Sequence, residues 1–315
     1  MAEWTFNPSE PGTARNMASW QVTAPNQEAY QIDVSWPLGW SGPNDGEAVA
    51  DALYLVDGNA LFLTATETLR RCEAQSHRRH NVESEPGTIV VAVGYPLMDT
   101  VFSPQRSYDL TPPCPPEQYT PPCRPDGKAK ADDPHGGADE FLSLITEVVK
   151  PFIEKTVFPR VTFARTALFG HSYGGLFVLH ALFTKPSSFD AYLAASPSVW
   201  WSNRHVLSQA ERFYSVSANL ASRPALWMSF GSREQAPVRG PGESLERFQI
   251  REEAASRRRM ADNCKELREM LLGRAGSRLR AVQLREFADE DHGSVIAPAL
   301  NGAISFFSTF TNTTN

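Results

Sequence analysis

The sequence predicts an α/β fold with a mostly parallel central sheet and helices on both of its faces. Three observations predict it. Short runs rich in Val, Ile, Leu and Ala alternate with helix-length segments over most of the chain, the order in which βα units build a layered sheet. Most of these runs are apolar at successive positions, as strands buried on both faces are. One early run, 29–36, alternates instead, with Tyr30, Ile32 and Val34 on one side, the pattern of an antiparallel strand covered on one face only.

The elements follow in chain order. Residues 1–18 are polar and are expected to be a loose segment ahead of a single domain over 19–315. After the alternating strand, buried strands are expected over 52–56, 88–94, 167–169, 191–194, 225–230 and 279–287. Helices are expected between them over 61–74, 139–157, 174–183, 204–216, 245–272 and 295–310. One stretch breaks the rhythm: residues 95–137 carry ten prolines, with pairs at Pro112-Pro113, Pro115-Pro116 and Pro121-Pro122. Neither a helix nor a central strand tolerates that density. The stretch is read as a long surface loop near the active site, since long loops in compact domains are commonly active-site covers.

Composition narrows the function. A chain of 315 residues buries about 74% of its surface on folding and needs no disulfide staples. Lys+Arg 30 against Asp+Glu 36 gives a net charge of −6. The longest basic run is Arg257-Arg258-Arg259, so the footprint of a nucleic-acid binder is missing. Apolar runs such as 52–56 fall short of a bilayer span, and mean hydropathy is −0.35. The N-terminus shows no basic and apolar leader pattern, and the cytosol is the expected compartment. Cys72, Cys114, Cys123 and Cys264 lack zinc-like spacing and are read as thiols in a reducing compartment, although Cys114 and Cys123 share the Pro-rich loop and could bridge if oxidised.

The strongest local signal is Gly170-His171-Ser172-Tyr173-Gly174. It follows the apolar run 167–169 and precedes the apolar run 176–179, which is the strand, elbow and helix context that a G-x-S-x-G nucleophile requires. Glycines on both sides let the chain turn sharply and lift the hydroxyl above the strand end. The helix after it points N–H groups at the same spot. Ser172 is therefore the candidate nucleophile. A serine hydroxyl needs a base, and in this architecture the acid and then the histidine follow it in sequence. Of seven histidines only His292 lies beyond the last strand candidate, in the polar loop Asp289-Glu290-Asp291-His292-Gly293. His77 and His80 lie among arginines and read as solvated, and His180 reads as a core histidine. For the acid, Glu234 stands just past the strand 225–230; Asp289 and Asp291 are rivals. Two backbone N–H groups are expected to hold an oxyanion, those of Tyr173 and, after the strand 52–56, of Asn59 in Asp57-Gly58-Asn59.

These segments, together with Ser196-Pro197-Ser198-Val199-Trp200-Trp201, Gly231-Ser232-Arg233-Glu234-Gln235 and Asp291-His292-Gly293, resemble the esterase D-like branch of the α/β-hydrolases. More narrowly they resemble siderophore esterases, namely enterobactin esterase-like enzymes and fungal triacetylfusarinine C esterases. The resemblance implies the α/β-hydrolase fold and hydrolysis of siderophore esters inside the cell to release iron. It carries nucleophile, base and acid onto Ser172, His292 and Glu234, the last where many relatives of the wider fold have Asp. It also implies that Arg106 lines the site and that Trp200 and Trp201 form an apolar wall against a bulky ligand.

The chain is thus read as a serine esterase with a small-molecule ester substrate. A ferric tris-catecholate is strongly anionic and a ferric tris-hydroxamate is neutral, so the acidic net charge points to a ferric hydroxamate of the fusarinine type. No cofactor is expected; any iron belongs to the substrate, held by its own oxygens. Two other readings stay open: a small-acyl or thioester hydrolase resembling S-formylglutathione hydrolase, and a non-catalytic carrier.

Overall fold

The computed structural model describes residues 15–24, 28–43, 47–79, 87–96, 98–122, 134–218, 220–275 and 278–309. These build an eight-stranded sheet from β1 (Met17–Thr23), β2 (Ala29–Ser35), β3 (Ala48–Leu55), β4 (Gly87–Gly94), β5 (Val161–His171), β6 (Ala191–Ala195), β7 (Ala225–Gly231) and β8 (Ala281–Phe287). Their order is β1-β2-β4-β3-β5-β6-β7-β8. β1 and β2 run antiparallel to each other and β2 to β4, and all later pairs are parallel. β6 and β7 are buried at every position, whereas in β2 Tyr30, Ile32 and Val34 are buried and Gln31 and Asp33 are not.

The two sheet faces are covered by different helices. On one face lie α1 (Gly58–Arg79) and α10 (Ile296–Thr309). They pack Leu61, Phe62, Leu69, Leu300, Ile304 and Phe307 against Leu53, Leu55, Phe169, Leu193 and Trp227. On the other lie α3 (Ala138–Ser143), α5 (Tyr173–Thr184), α7 (Val206–Val216) and α9 (Met260–Ala275), which bring Phe141, Leu176, Phe177, Phe213 and Leu267 onto Tyr54, Leu168, Tyr192 and Met228. Three shorter helical pieces are α2 (Arg106–Asp109), α4 (Lys150–Phe152) and α6 (Trp201–Arg204), and α8 (Leu245–Arg258) precedes α9.

Four differences from the expected elements have physical causes. The segment read as loose over 1–18 contributes Met17 and Ala18 to the edge strand β1, which holds few buried side chains and so gave little apolar signal; residues 1–14 lie outside the described ones. The helix expected over 139–157 widens into π-helical turns at Leu144–Val149 and Ile153–Val157 on either side of Pro151, whose missing N–H disrupts the regular ladder. The helix expected over 245–272 breaks at Arg259, which takes a left-handed conformation (φ 49°) and caps α8. Within the Pro-rich stretch, α2 forms and the chain is pinned: Gly137 N–H donates to Tyr108 O, Ala138 N–H to Thr111 O and Thr120 N–H to Ser202 Oγ. Among the described residues no helix is long and apolar enough to cross a membrane.

Candidate active site

Ser172, Glu234, His292 and Asn59 lie just past strand ends at one end of the sheet, with Asp57 and Ser196 beside them. β3 leads to Asp57 and Asn59, β5 to Ser172, β6 to Ser196, β7 to Glu234 and β8 to His292. These are the carboxyl ends of parallel strands, where an open α/β sheet gathers its ligand-facing groups.

Ser172 sits between β5 and α5 with φ 62° and ψ −116°, a conformation that costs an L-residue about 1–3 kcal/mol and is held by its surroundings. The glycines explain how the turn closes. A Cβ on Gly170 would lie 2.3 Å from Gly174 O, and one on Gly175 would lie 2.7 Å from Ala195 O. Ser172 N–H donates to Ala195 O at 3.0 Å, and Ser172 O accepts from Leu176 and Ser198 N–H. The hydroxyl therefore stands on a main chain fixed from both sides.

A continuous hydrogen-bonded line runs from that hydroxyl. His292 Nε2 lies 2.9 Å from Ser172 Oγ, and His292 Nδ1 lies 2.6 Å from Glu234 Oε2. The other carboxylate oxygen, Oε1, accepts from Gly231 N–H at 2.7 Å and from Ser196 Oγ at 2.6 Å. The Glu234 side chain is buried while the imidazole is half-exposed. A buried carboxylate with three donors is held in one position and so fixes the imidazole ring. The rivals Asp289 and Asp291 are engaged elsewhere: Asp289 with Arg233, and Asp291 with the N–H groups of Gly293 and Ser294.

Ser196, Ser198, His171 and Asp57 were not singled out in the sequence. Ser198 Oγ lies 3.5 Å from Ser172 Oγ. The His171 ring packs 4.7 Å from that of His292. Burial, then the neighbouring His292, push the His171 pKa well below the ordinary imidazole value, so it is neutral. Asp57 takes Arg106 bidentately, Nε to Oδ1 at 2.7 Å and Nη2 to Oδ2 at 2.8 Å, and the Arg106 guanidinium lies 5.5 Å from the Tyr173 ring centre. Arg106 thus borders the site with its charge already matched.

The Asn59 carboxamide clamps the main chain of Tyr95, accepting from N–H and donating to O, both at 2.8 Å. Its backbone N–H lies in the first turn of α1, as that of Tyr173 opens α5. First-turn N–H groups lack partners inside their helix and suit a developing negative charge. The tryptophan pair divides. Trp200 is half-buried beside Tyr173, with ring centres 6.2 Å apart. Trp201, expected to share the wall, is 1% exposed and packs in the core under Tyr119 and His205, so it offers no face to a ligand.

His180 is a buried core histidine between Gln209 and Asp139. The side chain of His77, and His80 and Cys123 entirely, lie outside the described residues. Among the described residues no three His, Cys, Asp or Glu side chains group so as to hold a metal ion.

Comparison with known proteins shows the family and the fold. The esterase family model described as "Putative esterase" matches residues 25–271. The chain is 61% identical over 310 residues to a siderophore enterobactin esterase of Emericella nidulans, covering 98% of this chain and 99% of that one. It is 43% identical over 284 residues to a siderophore triacetylfusarinine C esterase of Aspergillus fumigatus, covering 89% of each. The solved structure of the siderophore hydrolase EstA from Aspergillus nidulans superposes with a TM-score of 0.90 at 60% identity, over 98% of this chain and 99% of that one. With a serine elbow at the carboxyl edge of a mostly parallel sheet and a family match across most of its length, the chain belongs to the esterase family and has the α/β-hydrolase fold.

Proposed function

We propose that the protein is a siderophore esterase in which Ser172, His292 and Glu234 act together. The observation that carries this reading is the line from Ser172 Oγ through both imidazole nitrogens to a buried carboxylate, with distances of 2.9 and 2.6 Å. His292 Nε2 takes the hydroxyl proton as Oγ attacks the ester carbonyl. The carbonyl oxygen gains the negative charge, and the backbone N–H groups of Tyr173 and Asn59 receive it. As the C–O bond to the alcohol breaks, His292 returns the proton to the leaving oxygen. Water, deprotonated by the same nitrogen, then cleaves the acyl-enzyme and restores Ser172. Glu234 holds the ring and balances the imidazolium charge.

For the substrate, the names of the two relatives point to two ester classes. The greater likeness is to the enterobactin esterase, which favours a catecholate triester. The ferric hydroxamate triester of the fusarinine type is the second reading, favoured by the net charge of −6 and by the relative at 43% identity. In both readings iron enters with the substrate.

The test is incubation with ferric and iron-free forms of both triesters, beside S-formylglutathione and short acyl esters, with products read by mass spectrometry. Cleavage of a siderophore triester with a higher kcat/KM than any short acyl or thioester supports the reading. Preference for the small esters overturns it.

A further inference from the structure

Two arginines border the site, and they differ in one respect. Arg106 is matched by Asp57. Arg258, at the end of α8, has no such partner. Its guanidinium carbon lies 5.2 Å from the centre of the Trp200 ring, which in turn neighbours Tyr173, the residue after the elbow serine. Among the described residues no carboxylate pairs with Arg258. The site groups that act on it electrostatically are Tyr173 and, more weakly, Glu234, and the Glu234 oxygens are taken by His292, Ser196 and Gly231. Its sequence neighbour Arg257 adds like charge. Burial pushes the Arg258 pKa down, which marks a cation partly stripped of water without an ion to replace it. Such a group costs free energy unless a ligand supplies the counter-charge.

The rest of α8 extends the pattern. At 100° per residue, Arg247, Arg251 and Arg258 fall within about 40° of one another around the helix, and Ala255 is the α8 residue that is buried. At the N-terminal end of this face lies an open cavity of about 700 Å³, bordered by Arg233, Arg239, Arg247 and Arg251 and by Asp291, the neighbour of His292. A volume of that size suits a bulky small molecule. Of its arginines, Arg251 is paired with Glu243 and Arg233 with Asp289.

We infer that Arg258, stacked on Trp200, is a specificity-determining residue that reads negative charge on an aromatic part of the substrate. The basic face of α8 extends the attraction toward the cavity bordered by Asp291. An aryl ring carrying anionic oxygens can lie along Trp200 and accept from the guanidinium fork, whereas a neutral chelate leaves that cation unmatched. The site therefore selects an anionic aryl ester over a neutral hydroxamate, despite the cleft belonging to an acidic protein. The inference deepens the esterase reading and rests on it for the identity of the ligand, but its test needs no turnover.

Titration calorimetry with the whole chain compares 2,3-dihydroxybenzoate with 2,3-dihydroxybenzamide, an anion and its near-isosteric neutral counterpart. A charge-assisted contact is worth about tenfold or more in affinity. The benzoate is expected to bind about tenfold more tightly than the amide. Arg258→Gln should erase that ratio and Arg258→Lys should keep most of it. Equal affinity of the two ligands for the unaltered protein, absence of benzoate binding, or a parallel loss of both ligands in Arg258→Gln overturns the inference. If Arg258→Gln fails to fold, Arg258→Lys decides: it keeps the charge, so a loss of the whole benzoate preference there also overturns it. Failure of the protein to cleave any siderophore would remove the proposed substrate and leave this binding result standing.

Discussion

Ser196 Oγ donates to Glu234 Oε1 at 2.6 Å, across 38 residues of sequence and with both side chains buried. The bond joins the end of β6 to the turn after β7, and through Glu234 Oε2 it bears on the orientation of His292. The carboxylate is thus set by two donors on one oxygen before the imidazole meets the other.

Removing that donor should loosen the ring without abolishing the chemistry. Ser196→Ala is expected to lower kcat about tenfold, as loss of one hydrogen bond to a charged group does, with KM little changed. Glu234→Gln, which keeps the shape but not the charge, should lower kcat about 10³- to 10⁴-fold. Steady-state kinetics on a siderophore triester checks both, and equal effects of the two variants would contradict the arrangement.

Gly231 sets the distance between the acid and base loops. A Cβ there would lie 2.3 Å from Glu290 O and 2.8 Å from its carbonyl carbon, so the main chain before His292 must move. Gly231→Ala should cost about 1–3 kcal/mol of stability and reduce kcat. Gly273→Ala, in α9 with open space around the glycine, should instead stabilise by about 0.5–1 kcal/mol. Denaturant unfolding of the two variants measures the contrast.

Asp109 gives a stability signature in pH. It is buried beneath the Tyr30 and Tyr95 hydroxyls, which donate to it at 3.3 and 3.0 Å. Burial lifts its pKa from 3.8 to about 7 against the opposing effect of those hydrogen bonds. Between those values the folded chain holds a proton that the unfolded chain has released. Stability from this group is therefore full at acid pH and falls as pH rises toward about 7. Asp109→Asn, which stays neutral, should flatten this slope and match the unaltered protein more closely at pH 5 than at pH 8. Melting temperatures of both proteins across that range test the sign, and an identical slope would contradict it.

Much of the candidate site could be read from the chain because the residues gathered there close strands. Gly170 to Gly174 announces a turn by its glycines, and His292 stands out as the histidine beyond the last strand. Glu234 follows an apolar run that could only be a buried strand. What stayed hidden depends on contacts between distant segments. Ser196 and Asp57 owe their roles to partners 38 and 49 residues away, and no local pattern reveals such a pairing. The edge strand β1 escaped notice because few of its side chains are buried. Trp201 is indistinguishable from Trp200 by residue type; one turn of chain sends one ring into the core and leaves the other beside Tyr173. Arg258 lies in a run of three arginines, and only packing against Trp200 separates it from its neighbours.

The most direct measurement compares turnover of a siderophore triester by the unaltered protein and by Ser172→Ala, with products followed by mass spectrometry and folding checked by circular dichroism. Ser172→Ala is expected to lose about 10⁴-fold or more in kcat with the fold unchanged. A folded Ser172→Ala protein that still cleaves the triester at a comparable rate would contradict it.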